Sequence, residues 1–452
     1  MLAIVGLLGV IYCYLLAVKP QVIAVLFFTI TIADINFELG GLPLNIRAIV
    51  GLTLFARTLV LGKNENDPGF FMNPKSWLII VFTVYAIIIT AFYDLLNADV
   101  IKTSALTFIS MYCGWYYYFQ RGDMKYLRIA LIIAGFICFF DLVFTYGYYG
   151  EFPVQRIYQF LLKMPIPVDE KGEYVEVINH NFYGLICGMG FVFLLNEFIN
   201  KDNPKKTVLL ILPVLFLGVL MSTSRSTLLG IIVISVVLIF RELKHRERAQ
   251  KAYMLITMAV GILFLCLFLF TTIQSYLNVN VEFMERIMFR LVDEPMAVLN
   301  KHLGMNYNVQ SLEAMDWREK ASKDAMQAWL YLPFNEQVFG IGYWGFVVRD
   351  LGHSNLPPHN GILFLLFDSG IVGLAMYFLL IITVIRRSLI INTVIPQLVT
   401  TLIFVIFYCL GQNGELTSSI TFLFIITLIA ENERLMGLIK TRTGDTRQPL
   451  QA

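Results

Sequence analysis

What most constrains this chain is a succession of apolar runs, most of them long enough to cross the hydrocarbon core of a bilayer as a helix. They fall near 2–18, 21–33, 46–61, 77–94, 99–118, 126–146, 180–199, 207–222, 226–240, 253–273, 361–385, 389–410 and 417–431. That makes about 12 or 13 spans, the second being short. A backbone in lipid must satisfy its own polar groups, and only helices or closed barrels do so. The expected fold class is therefore an all-α integral membrane protein, a bundle of transmembrane helices.

Composition agrees. Of the 452 residues, 58% are hydrophobic and 15% charged, with mean hydropathy +0.70, too little polar surface to cover a water-soluble globule. A net charge of +2 gives no basic groove, so nucleic acid is not an expected partner. Cys13, Cys113, Cys138, Cys187, Cys266 and Cys409 all fall in apolar runs, leaving no pair in the long polar loops for a disulfide or a zinc site. The first run, Leu2 to Val18, lacks a basic leader and a small-residue cleavage site and reads as a retained span.

Basic loops orient the bundle. Arg241–Lys251 (RELKHRERAQK), Asn203–Lys206, Arg121–Lys125 and the pair Arg386–Arg387 agree in parity and are expected in the cytoplasm. The 34–45, 147–179 and 274–360 loops and the turn Ser222–Ser226 then lie outside, and the tail from Glu431 lies inside. The sequence divides accordingly into spans over 1–273, an external loop over 274–360, C-terminal spans over 361–431 and a cytoplasmic tail over 432–452.

The 274–360 loop is too patterned to be a linker. It contains Trp317, Trp329 and Trp344, and a segment of helical period from Leu312 to Trp329 that would bury Leu312, Met315 and Met326. The stretch Val281–Leu303 is amphipathic and suited to the membrane surface. The loop closes on FGIGYWGF (339–346) and then runs through PPHNGILFLLFDSGIVG, Pro357 to Gly373, where an ionisable loop turns directly into a span. No internal repeat of the kind many transporters show is present.

Several residues there can carry chemistry. Arg225, in MSTSRSTLLG (221–230), interrupts two apolar runs at a turn too short to hold it away from the membrane. It is either a snorkelling arginine or an anion clamp. Arg318 stands between Asp316 and Glu319 in DWREK, where a surface ion pair is the plain structural alternative. Arg286 and Arg290 can equally meet lipid headgroups. His359 has a side-chain type whose pKa near 6.5 lets it accept a hydroxyl proton at neutral pH, and its bland alternative is a backbone-bonding residue at the start of a helix. Asn360 can cap the incoming helix. His180, His302 and His353 show no spacing that converges three or four ligands on zinc.

Taken in order, these motifs resemble the O-antigen ligase and O-antigen polymerase family. The resemblance rests on Ser222, Ser224 and Arg225 opening a span, Arg318 ahead of Gly340 and Gly342, and then His359, Asn360, Leu363, Leu366, Gly370, Gly373 and Leu374. INHNFYGL (178–185) looks like the family's asparagine-bearing helix start, with Asn181 at that position. Ser226 and Thr227 depart from the usual glycine and alanine after the arginine.

The resemblance implies an inverting, metal-independent glycosyl transfer with no cofactor, on the external face of a bacterial inner membrane. The donor would be a polyprenyl-diphosphate-linked glycan and the acceptor a hydroxyl of another glycan or of lipid A core. Arg225 and Arg318 would pair with the leaving diphosphate, and His359 would deprotonate or orient the acceptor. The external loop should fold back as helices over a cavity open sideways to lipid, because a polyprenyl tail loses about 0.8 kcal/mol per CH₂ taken out of an apolar environment. A transporter or flippase for a small anion or a lipid-linked glycan is the other reading. It would use Arg57, Asp141 or Asp368, charges in or near spans.

Overall fold

The computed structural model describes residues 20–33, 46–60, 70–121, 124–149, 156–157, 178–200, 206–242, 253, 293–306, 310–343, 345–351, 360–391, 396–411, 416 and 418–445. At some helix positions, Arg57 and Arg318 among them, the description covers the backbone alone. The helices are α1 (Pro20–Ile32), α2 (Ile46–Val60), α3 (Pro74–Phe92), α4 (Ala98–Arg121), α5 (Lys125–Tyr149), α6 (His180–Asn200), α7 (Lys206–Met221) and α8 (Arg225–Glu242). They continue with α9 (Glu294–His302), α10 (Gln310–Leu330), α11 (Phe334–Phe339), α12 (Gly345–Val348), α13 (Gly361–Ile391), α14 (Gln397–Cys409) and α15 (Ser419–Asp445). A two-residue antiparallel pairing, Arg156–Ile157 with Ile178–Asn179, is the one sheet among the described residues.

Four helices contain stretches long and apolar enough to cross a membrane: Pro74–Phe92, Lys125–Phe144, Asn181–Asn200 and Gly361–Ile391. Shorter apolar helices cover Val22–Ile32, Lys206–Met221, Arg225–Leu238 and Gln397–Cys409. The surface of α3 shows what solvent it meets. It buries Ser76, Ile79, Phe82 and Thr90 on one face and presents Leu78, Val81, Val84 and Ile88 on the other. An apolar outer face of this kind is costly in water and favourable in lipid, so the chain is a multi-pass membrane protein.

The chain forms two compact units. The first comprises Met1–Ala130, Ala321–Leu402 and Cys409–Ala452, and the second Leu131–Lys320 with Ile403–Tyr408. In the first, α4 packs along α15, while α13 packs on α3, α11 and α15. Asn73 starts α3 by accepting Lys75 N–H at 2.8 Å, followed by Pro74 in the first turn, where its missing N–H costs nothing. At that same end Glu433 of α15 takes ion pairs from Lys75 and, at 3.2 Å, from Arg387 of α13, tying three helices together at the side expected to be cytoplasmic.

In the second unit α6 packs between α7 and α8, nearly surrounded by protein. Small residues make this possible: a Cβ on Gly218 would stand 2.8 Å from Cys187 Sγ, and one on Gly188 2.8 Å from Thr227 Cγ2. Asp141 of α5 is fully buried and accepts the hydroxyl proton of Tyr183 in α6, so this carboxylate serves helix packing.

One expectation is corrected. The loop helix forms over Gln310–Leu330, but Met326 is 43% exposed while Ala325 is buried and Ala328 and Trp329 pack on the cluster of Leu332, Ile341, Phe346, Leu363 and Phe367. At this level the helix turns Ala325 rather than Met326 toward the cluster. The last helix, α15, runs from the expected final span on into the expected tail, to Asp445. The expected spans 2–18 and 253–273 lie almost wholly outside the described residues, as does most of Val281–Leu303.

Candidate functional site

In the second unit, α7 gives way to α8 in a turn of three buried hydroxyl residues, Ser222, Thr223 and Ser224. The Ser222 hydroxyl donates to Val219 O at 2.7 Å and accepts the Ser224 amide at 3.3 Å, closing the end of α7. Thr223 takes up a left-handed conformation, φ 51°, which reverses the chain. Ser224 O then accepts the first helical bond of α8, from Leu228 N–H at 3.0 Å, so Arg225 is the first residue of that helix.

Arg225 is half-buried, and the α6 start stands beside it. A Cβ on Gly184 would lie 2.5 Å from Ser222 Oγ and 2.8 Å from Ser224 Cβ, so the first turns of α6 and α8 touch. Asn181, in the first turn of α6, is buried. Two helix N-termini, each with the partial positive charge of its unpaired amides, thus adjoin beside Arg225. Thr227 of α8 pairs its hydroxyl with Ser224 Oγ at 2.8 Å.

In the first unit, Asn360 caps α13: its Oδ1 accepts the amides of Ile362 at 3.0 Å and Leu363 at 3.3 Å. The next residue, Gly361, lets the chain approach the end of α14, since a Cβ there would stand 2.6 Å from Cys409 O. Nine residues further on, α13 breaks at Gly370, whose φ of 64° and ψ of −171° belong to a region that only glycine occupies readily.

The break frees carbonyls, and the glycine-rich loop after α11 takes them. Ile341 N–H donates to Phe367 O at 2.8 Å and Gly342 N–H to Asp368 O at 3.1 Å. The Tyr85 hydroxyl of α3 bridges the carbonyls of Phe339 (2.7 Å) and Ser369 (3.0 Å). Thr90 of α3 accepts the Tyr343 amide at 2.9 Å. Just past α12, Arg349 pairs with Glu336 at 2.9 Å and lies 4.6 Å above the Tyr93 ring. Burial, and after it the Glu336 carboxylate, pushes the Tyr93 phenol up.

The structure thus joins the helix starts carrying Asn181 and Arg225, and separately docks the GIG loop on the helix capped by Asn360. Arg318 lies on α10 with its backbone alone described, and His359 and Arg290 lie outside the described residues. Sequence reading missed Tyr85, Thr90 and Arg349. The signal for the first two was a polar side chain on the same face of an apolar helix as buried neighbours, which marks a bonding partner in the bundle.

Comparison with known proteins matches residues 209–378 to the O-antigen ligase family (Wzy_C). The matched stretch runs from α7 into α13 and contains Arg225, Arg318, the GIG loop, His359, Asn360 and Gly370. No curated protein is similar enough to match. Over those residues the chain is similar to the O-antigen ligase family.

Proposed function

We propose that this chain, with its O-antigen ligase-family domain, transfers a glycan from a polyprenyl diphosphate to an acceptor sugar hydroxyl, with inversion at the anomeric carbon and without a metal ion. Arg225 carries the proposal furthest: it is half-buried at the start of α8, against the start of α6, where an anionic diphosphate gains both a guanidinium and helix-terminal amides.

In this reading the anomeric carbon–phosphate oxygen bond breaks as the acceptor oxygen attacks from the opposite face. The diphosphate leaves with the bonding electrons, and Arg225 and Arg318 stabilise the negative charge that grows on it. His359 takes the acceptor proton, at a point where loop meets span and a lipid-borne substrate can arrive from the bilayer. The sugars and the chemistry lie on the external face, as the basic loops orient the chain.

The test is transfer from purified polyprenyl-diphosphate glycan by the protein in nanodiscs, with and without chelator. Activity that persists in chelator and falls with Arg225→Lys supports the proposal. Loss in chelator that Mg²⁺ or Mn²⁺ restores overturns the metal-free mechanism.

A further inference from the structure

Within the first unit, two helices fix how deep the loop after α11 sits. On α3, the Tyr85 hydroxyl reaches Phe339 O well before the helix ends at Phe92. On α13, Ile341 and Gly342 donate to the carbonyls of Phe367 and Asp368, well inside the helix start at Gly361. At 1.5 Å per residue, each helix puts the Phe339–Gly342 segment roughly 10 Å below its own end. Thr90, nearer the end of α3, takes the Tyr343 amide, so the chain rises again from Phe339 to Tyr343.

The backbone of this segment is bonded as hydrocarbon requires. Four successive amides, Gly340 to Tyr343, have acceptors in Glu336 O (2.8 Å), Phe367 O (2.8 Å), Asp368 O (3.1 Å) and Thr90 Oγ1 (2.9 Å). Irregular backbone is tolerated at membrane depth only where protein satisfies it in this way. The open side is apolar, with Phe339 48% and Phe334 80% exposed. The two ends of α11 also differ. Exposed Asn335 and the Glu336–Arg349 pair beside Tyr93 stand level with the end of α3, whereas Phe339 stands beside Tyr85.

We propose that α11 and the glycine loop form a re-entrant element, which enters the leaflet at the end of α3 and lays Phe334 and Phe339 against acyl chains, with Tyr331 at headgroup level. The partner is the lipid itself. Tyr85 neighbours Val81 and Ile88 at helical spacing, so Phe339, bonded to Tyr85, borders the apolar outer face of α3. The 274–360 stretch, expected outside the membrane, dips into it here, and Tyr331 takes the place aromatic residues favour at the interface.

The experiment photolabels the unmodified chain in nanodiscs with a hydrophobic diazirine dissolved in the lipid, and mass spectrometry locates the adducts. Adducts are expected on Phe334 and Phe339, as on Val84 and Ile88 of α3. Label on α3 with none over residues 330–343 overturns the proposal, whether water or a second protein covers the segment. Nitroxides at Tyr331→Cys, Phe334→Cys and Phe339→Cys then read depth, with the signal of the identically treated parent chain subtracted. Oxygen, which concentrates in lipid, should relax the label at 339 several-fold more than a water-soluble nickel chelate does, and the label at 331 less so. Chelate access that is greatest at 339 overturns the re-entrant path. Neither readout depends on glycan transfer.

Discussion

Gly340 and Gly370 stand back to back: a Cβ on Gly340 would lie 2.6 Å from the amide nitrogen of Gly370, and one on Gly370 2.5 Å from that of Gly340. Both have positive φ, 88° and 64°, with ψ near 180°, where a side chain clashes with its own backbone. The contact joins the end of the large loop to the broken helix, backbone against backbone. Gly340→Ala or Gly370→Ala should each cost more than about 2 kcal/mol, seen as a marked fall in the unfolding midpoint and in yield of folded protein. Unchanged midpoints in both variants would mean that the loop does not dock.

Tyr85 tests the same junction gently. Its hydroxyl bridges Phe339 O and Ser369 O, and Gly373 leaves room for its ring, a Cβ there falling 3.2 Å from Tyr85 Cε1. Tyr85→Phe keeps the packing and removes the bridge, so the loss should be about 1 kcal/mol. Hydrogen exchange at the amides of Ile341 and Gly342 should quicken while exchange in α4 stays as it was.

Arg225→Lys keeps a positive charge at the start of α8 but loses the planar fork that grips diphosphate. Transfer should fall by at least about tenfold, the loss of one charge-assisted bond, with insertion and abundance unchanged. Thr227→Ala, two residues along the same helix, should leave transfer near its starting rate and lower stability by roughly 1 kcal/mol through the lost Ser224 partner. The reverse pattern would make Arg225 an ordinary interfacial residue.

His359 and Asn360 are neighbours with different proposed duties, and substitution separates them. Asn360→Ala should lower stability by about 1 kcal/mol through the lost cap, and Asn360→Asp should restore it. His359→Asn should leave stability alone and cut the transfer rate by roughly 10²–10⁴-fold, the usual contribution of a positioned base. Full transfer by His359→Asn would remove the base from the mechanism.

Helix positions were legible because a bilayer imposes them locally. A run of apolar residues is enough to expect α3, α5, α6 or α13, and the ends fall within a few residues of those expected. The cap at Asn360 was legible for the same reason, since asparagine before a helix bonds amides two and three residues ahead whatever else surrounds it. Motif order also pointed to the family whose model matches residues 209–378.

What tertiary structure decided is where one element meets another. Sequence gave the glycines of FGIG and DSGIVG a place in a pattern without a reason. The reason is that two backbones touch at Gly340 and Gly370, which depends on residues far apart in the chain. Likewise Met326 looked like core and faces outward, while its neighbour Ala325 joins the cluster of Phe346 and Phe367. Asp141 and Asp368 looked alike as carboxylates in or near spans. One accepts the Tyr183 hydroxyl and the other lines a cavity, because different helices pack against them. Hydropathy is a property of each segment and survives any arrangement of its neighbours; a contact, a cavity or a paired charge exists only once the neighbours are chosen.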